Sequence, residues 1–229
     1  MNKFDILLWD LDDTLLDFGQ SENHAITSCF DHFKIPYFKE MIDRYSTINL
    51  SYWKRFEKGE IAKKEVLYGR FRQLFQEFGI KNIQPEEFQL LYQEELGSTF
   101  FYNDDSFEIC RKLSDDFNQY IVTNGIVITQ EKKLRLSKFD QIMDGICISE
   151  KLGFQKPQAQ FFEKCFELIG NVDKEKVLII GDSLTSDIKG GNNAGIATCW
   201  YNPKKNECQE NVVVNYEIDS LNQIFDIIY

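Results

Sequence analysis

The sequence predicts an α/β protein: a doubly wound parallel sheet with an α-helical domain inserted near its start. Three observations carry this. From about residue 97 onward, short apolar runs alternate with stretches of helical spacing, the signature of strands joined by covering helices. The runs are continuously apolar, as strands buried on both faces require. One more such run stands alone at residues 4–10, separated from the others by residues 17–96, which show helical periodicity and no convincing strand.

Taken in order, FDILLWD at 4–10 is a buried strand ending in an acid;. In the insert, Val66, Phe71, Leu74, Phe75 and Phe78 recur at helical intervals, with breaks near Pro36, Gly59, Gly79 and Pro85;. Beyond it, helices at about 104–116, 126–137, 157–170 and 184–194 precede strands at 119–123, 145–149, 176–181 and 196–201. The tail adds a strand at 212–214 (VVV) and a helix from about 219. The expected division is a core of 1–16 with 97–229 and a helical cap of 17–96.

Composition narrows the function. The 229 residues suffice for one sizeable core with an insert, and 43% hydrophobic against 28% charged residues excludes wholesale disorder;. A formal net charge of −11 argues against a nucleic-acid polymer as partner;. No apolar run approaches the roughly 20 residues of a membrane span, so no membrane partner is expected. The first residues turn acidic at once and show no cleavage site, so the cytoplasm is the expected location;. The six cysteines are far apart and read as buried thiols;. No heptad or self-complementary stripe points to an oligomeric state.

The informative residues stand just past the strand ends. The first strand ends in Asp10-Leu11-Asp12-Asp13-Thr14, the second in Thr123-Asn124-Gly125. A loop after the third leads to Lys156-Pro157, and the fourth ends in Gly181-Asp182 with Asp187 beyond. In an open parallel sheet all these ends share one edge, where ligands bind. Asp10, Asp12, Asp182 and Asp187 would repel one another there, and one lysine cannot neutralise them. A divalent cation can, and an all-oxygen donor set without His or Cys selects Mg²⁺. Metal, lysine, hydroxyl and loop amides are what phosphoryl transfer needs. One carboxylate can attack phosphorus while a second moves the protons.

This constellation resembles the haloacid dehalogenase-like hydrolase superfamily. D-x-D-x-T lies at Asp10, Asp12 and Thr14, the hydroxyl motif at Thr123, the lysine motif at Lys156, and G-D-x-x-x-x-D at Gly181, Asp182 and Asp187. The resemblance implies a Rossmann-like core with a helical cap. It implies Asp10 as nucleophile, Asp12 as general acid/base, and Asp182 with the Asp12 carbonyl as Mg²⁺ ligands supported by Asp187. Thr123, Asn124, Gly125 and Lys156 would hold the phosphoryl group. One branch is similar in more detail, the helical-cap pyrimidine-type 5′-nucleotidases. It matches at Val122 to Gly125, Gln130 and Leu134 to Leu136, at Asn49, Trp53, Gly59, Ile61, Arg70 and Phe71 in the cap, and at Ala197 to Asn202. Of the cap residues, Asn49, Trp53 and Arg70, together with Phe18, are the candidate substrate contacts. The expected substrate is a small phosphorylated metabolite, a nucleoside 5′-monophosphate. Alternatives are a sugar phosphate or phosphoglycolate, or a 2-haloacid attacked at carbon. A non-enzymatic phospho-receiver is disfavoured by the second acid and the cap.

Overall fold

The computed structural model describes residues 3–229. The chain forms two compact units, Met1–Asp17 with Phe101–Tyr229, and Phe18–Phe100.

The first unit is built on six parallel strands in the order β3-β2-β1-β4-β5-β6. They are β1 (Ile6–Trp9), β2 (Asn118–Thr123), β3 (Gly145–Ile148), β4 (Val177–Gly181), β5 (Ala197–Tyr201) and β6 (Tyr216–Ile218). Every residue of β1 and β4 is buried, as helix-covered central strands demand;. Ile6, Leu8, Val122 and Ile179 pack with Phe161, Phe162 and Cys165 on one side of the sheet. On β1, Trp9 gives its indole N–H to Gln119, whose own amide reaches the Cys110 carbonyl, so this buried polar pair is satisfied;. Trp9 stands opposite Ile121 on one flank and Ile180 on the other. That register brings the ends of β1, β2 and β4 to one edge.

The connecting helices are shorter than the sequence periodicity suggests. After the helices of the second unit, α1 (Phe18–His32), α2 (Lys39–Glu57), α3 (Lys63–Phe78) and α4 (Pro85–Gly97), come α5 (Ser106–Leu113), α6 (Val127–Leu136), α7 (Ser149–Leu152), α8 (Ala159–Ile169), α9 (Lys189–Ala194) and α10 (Phe225–Ile228). The expected helix from 184 opens as a wide π-helical turn, Leu184–Ile188. The tail departs from expectation. Residues 212–214 form no strand, because the Val213 backbone is taken by side chains: Asn192 bonds both its N–H and C=O, and Thr198 donates to the same carbonyl. The last strand, β6, comes after it at Tyr216–Ile218. All six cysteines are free thiols, and only Cys208 is exposed.

The core segments differ by a few residues from the expected boundaries. Leu16 bridges to Tyr102, and Asp17 donates its N–H to the Phe101 carbonyl, so these linker residues pair within the core.

The second unit is four helices: α1 (Phe18–His32), α2 (Lys39–Glu57), α3 (Lys63–Phe78) and α4 (Pro85–Gly97). Its centre is aromatic, with Tyr45 stacked on Phe71 and Phe88 packed against the same ring. Among the described residues no helix is long and apolar enough to cross a membrane.

Candidate active site

Two residues past β1 the chain makes a tight turn. Leu15 and Leu16 both donate to the Leu11 carbonyl, and Asp13 takes a left-handed φ of 64°, which Asp tolerates better than most residues. Asp13, to which the sequence pattern assigns no chemical role, thus bends the chain so that Asp10, Asp12 and Thr14 meet the other strand ends.

Thr14 joins the two halves of the site. Its hydroxyl donates to Asp10 Oδ2 at 3.1 Å and accepts the backbone N–H of Asp182 at 3.1 Å. Trp200 on β5 fixes Asp182 from the other side, its indole donating to the Asp182 carbonyl at 2.8 Å. One carboxylate oxygen each from Asp10, Asp182 and Asp187 lies within 4.8 Å of the others, close enough to share one cation. The donor set is all oxygen, as a hard divalent cation requires. The Asp12 carboxylate is not in this group.

Asp187 is aimed by the π turn. Ser183 accepts from both Asp187 and Ile188 backbone N–H groups, which turns the Asp187 side chain back onto Gly181. A β-carbon at Gly181 would fall 2.3 Å from Asp187 Cγ, so only glycine fits there.

Lys156 is buried and donates its three hydrogens to Asp10 Oδ1 at 2.6 Å, Asp187 Oδ1 at 2.7 Å and the Val122 carbonyl at 2.7 Å. Burial alone would lower its pKa, but the Asp10 and Asp187 carboxylates outweigh burial and hold the lysine protonated;. Burial pushes the Asp10 carboxyl up to about 8, with Asp187 and Asp12 adding to the rise and Lys156 opposing it. Asp10, Asp182 and Asp187 thus crowd together beside Lys156, and a cation shared among them would favour their charged forms;.

On the β2 side, Thr123 accepts from Gly125 N–H at 3.1 Å and from Gln130 Nε2 at 2.8 Å. Both hydroxyl lone pairs are then used, so what Thr123 offers a ligand is its hydrogen, which suits a phosphate oxygen. The sequence pattern places Asn124 among the phosphate contacts. In the structure its side chain grips the Lys156 backbone, accepting from Lys156 N–H and donating to Lys156 C=O, each at 2.9 Å. Asn124 thereby sets where the lysine stands.

Two residues to which the sequence pattern gives no task belong here. Lys133 Nζ donates to Asp12 Oδ1 at 2.7 Å, and Gln130 Nε2 to Asp12 Oδ2 at 2.7 Å. Gln130 shows in the sequence as a point of likeness to the 5′-nucleotidase branch, and the signal for Lys133 is its spacing of three from Gln130 along a helix;.

The four cap candidates lie in the second unit. Arg70 and Asn49 are 1% and 2% exposed and bond to each other, Arg70 Nη1 to Asn49 Oδ1 at 2.5 Å. Arg70 also donates to Gln89, and Asn49 to Glu22. Trp53 and Phe18 are half-buried against the cap core.

Residues 7–201 match the family described as haloacid dehalogenase-like hydrolase. The HAD-hydrolase YfnB of Bacillus subtilis is 38% identical over 228 residues, covering 100% of this chain and 97% of YfnB. A magnesium-bound crystal structure of YfnB superposes with a TM-score of 0.94, covering 98% of each chain. The pyrimidine 5′-nucleotidase PynA of Streptococcus pneumoniae is 37% identical over 97% of this chain and 94% of its own. The pyrimidine 5′-nucleotidase YjjG of Escherichia coli is 26% identical over 97% and 96%. With its strand-end acids, its buried lysine and this full-length likeness, the chain belongs to the haloacid dehalogenase-like hydrolase family.

Proposed function

We propose that the protein is a Mg²⁺-dependent phosphomonoesterase acting on nucleoside 5′-monophosphates through an aspartyl-phosphate on Asp10. The observation that carries this is the Asp10 carboxylate itself: bonded by Lys156 and Thr14 and within ion-sharing distance of Asp182 and Asp187. The nucleotide preference is supported by the full-length likeness to PynA and YjjG.

Asp10, Asp182 and Asp187, with the Asp12 carbonyl, are the residues that would hold Mg²⁺. When bound, the ion supplies positive charge that offsets the crowded carboxylates and the incoming phosphate. The chain's own groups do the rest. Thr123 donates to a phosphoryl oxygen and orients it, and Lys156, anchored on Asp10, Asp187 and the Val122 carbonyl, supplies positive charge beside it. An Asp10 oxygen forms a bond to phosphorus as the ester P–O bond breaks. The released electron pair stays on the leaving oxygen, which takes a proton from Asp12. Asp12, now a carboxylate, accepts a proton from water as the water oxygen bonds to phosphorus. The Asp10–phosphorus bond breaks, and its electron pair returns to Asp10. The sum is ester plus water giving alcohol plus phosphate.

The test is a phosphomonoester panel with Mg²⁺ and with EDTA, ranked by kcat/KM. Release that needs Mg²⁺ and is led by nucleoside 5′-monophosphates is expected. A panel led by sugar phosphates removes the nucleotide assignment and leaves the phosphatase. Metal-independent halide release from a 2-haloacid, without phosphate release, overturns both.

Gly181→Ala checks the metal assignment separately. The new methyl must displace Asp187. The Mg²⁺ concentration for half-maximal activity is expected to rise by about 10-fold or more, the usual cost of disturbing a group that supports a metal site. An unchanged Mg²⁺ titration would separate Asp187 from the metal.

A further inference from the structure

The second acid of the site does not stand by itself. Asp12 is 25% exposed at its side chain, while the side chain of its lysine partner is wholly buried. Gln130 is 1% exposed. Both partners project from α6, three residues apart, and each addresses a different Asp12 oxygen. The Gln130 amide nitrogen divides its two hydrogens between Asp12 Oδ2 at 2.7 Å and Thr123 Oγ1 at 2.8 Å. The carboxylate settles which end of the amide faces it, since only nitrogen donates. Gln130 lies over Gly125, where a β-carbon would come within 2.1 Å of its amide nitrogen. The amide has no room to swing that way once a side chain is added at residue 125.

We propose that Gln130 and Lys133 are positioning residues that hold the Asp12 carboxyl in the orientation for proton transfer, with Gln130 coupling it to the phosphate-facing hydroxyl of Thr123. This deepens the reading of Asp12 as the proton donor and acceptor, and rests on it. The chemistry permits it. A carboxyl oxygen has two lone pairs, and each Asp12 oxygen uses one on α6. One remains on each, so Asp12 gives and takes a proton without releasing either partner. The two fixed contacts remove the rotation that would carry the carboxyl off the line to the leaving oxygen, and small misplacements of a proton-transfer group cost much in rate. Through Gln130 the same amide also directs Thr123 to present its hydrogen, so the phosphate grip and the proton donor are set by one side chain.

The experiment compares two substrates whose leaving groups differ in their need for a proton. An aryl phosphate such as p-nitrophenyl phosphate releases a stable phenolate, whereas uridine 5′-monophosphate must release a poor alkoxide. Lys133→Met and Gln130→Met are expected to lower kcat/KM for the nucleotide by about 10–100-fold, part of the whole acid–base contribution, and for the aryl phosphate by a clearly smaller factor. In an Asp12→Asn background, Lys133→Met is expected to cost little more, because it acts through Asp12. Equal losses on both substrates, or full additivity with Asp12→Asn, would reduce these residues to structural support and overturn the inference. Should Lys133→Met fail to fold, Gln130→Met carries the same comparison. An active wild-type protein whose variants are unmoved overturns this inference alone. A wild-type protein that releases phosphate from neither substrate overturns the proposed function and this inference together.

Discussion

Asp10→Asn is expected to lower phosphate release by at least about 10³-fold in kcat, the scale seen when a covalent nucleophile is removed. The substitution keeps the shape of the side chain. Its oxygen can still accept from Lys156 or Thr14, but the amide cannot bond to phosphorus. The same variant is expected to be no less stable than the wild type when metal is removed. Burial raises the Asp10 carboxyl to about 8 in the folded protein from an ordinary 3.8. The folded state thus holds its proton longer than the unfolded state does. Ionisation costs stability progressively as pH rises from about 3.8 to about 8, and the cost is absent below that window;. Asparagine carries no such charge. Urea unfolding in EDTA at neutral pH should show Asp10→Asn equal to or above wild type, and the gap should close toward pH 4. A variant that keeps near-wild-type kcat would disprove the nucleophile.

Arg70→Met is expected to destabilise the protein by about 3 kcal/mol, the cost of removing one partner from a buried charged network. Its guanidinium bonds to Asn49 and Gln89 and lies 4.8 Å from the ring centres of Phe71 and Tyr92. Asn49 passes the connection to Glu22, which also accepts from Ser46. Without the arginine, the buried Glu22 carboxylate loses the positive charge that reaches it through Asn49;. Adding Glu22→Gln to Arg70→Met should recover part of the loss, since the uncompensated charge goes too. Urea denaturation monitors this, and kinetics of the folded variant separate the two roles open to Arg70. A lower midpoint with unchanged KM assigns it to the cap interior. A raised KM at unchanged stability assigns it to substrate.

The core motifs are legible in the sequence for a physical reason. Continuous apolar runs betray buried parallel strands, and the residues just beyond each such strand are delivered to one edge. Asp10, Thr123 and Asp182 can be grouped on that ground, whereas Lys156 stands beyond the short helix α7 that follows β3. The hidden features depend on the direction of a side chain rather than its place in the order. Lys133 comes after Lys132 on a helix and reads like any solvated cation, yet it is buried against Asp12. Asn124 is next to Thr123 and reads like its partner, yet it faces the lysine loop. The valines at 212–214 have strand composition, but Asn192 and Thr198 capture the Val213 backbone before a neighbouring strand can. In the cap, aromatic spacing identifies helices and does not say which rings look inward.

The order of the sheet has a bearing on biogenesis. The segment at residues 6–9 lies between partners at 118–121 and 177–180. A ribosome therefore makes the innermost ribbon long before either flank exists. Until those flanks emerge, an unpaired oily stretch needs shelter, from the helices made after it or from a chaperone. No nascent chain shorter than residue 187 can bring Asp10, Asp182 and Asp187 together, so that cluster waits on the late segment that follows β4.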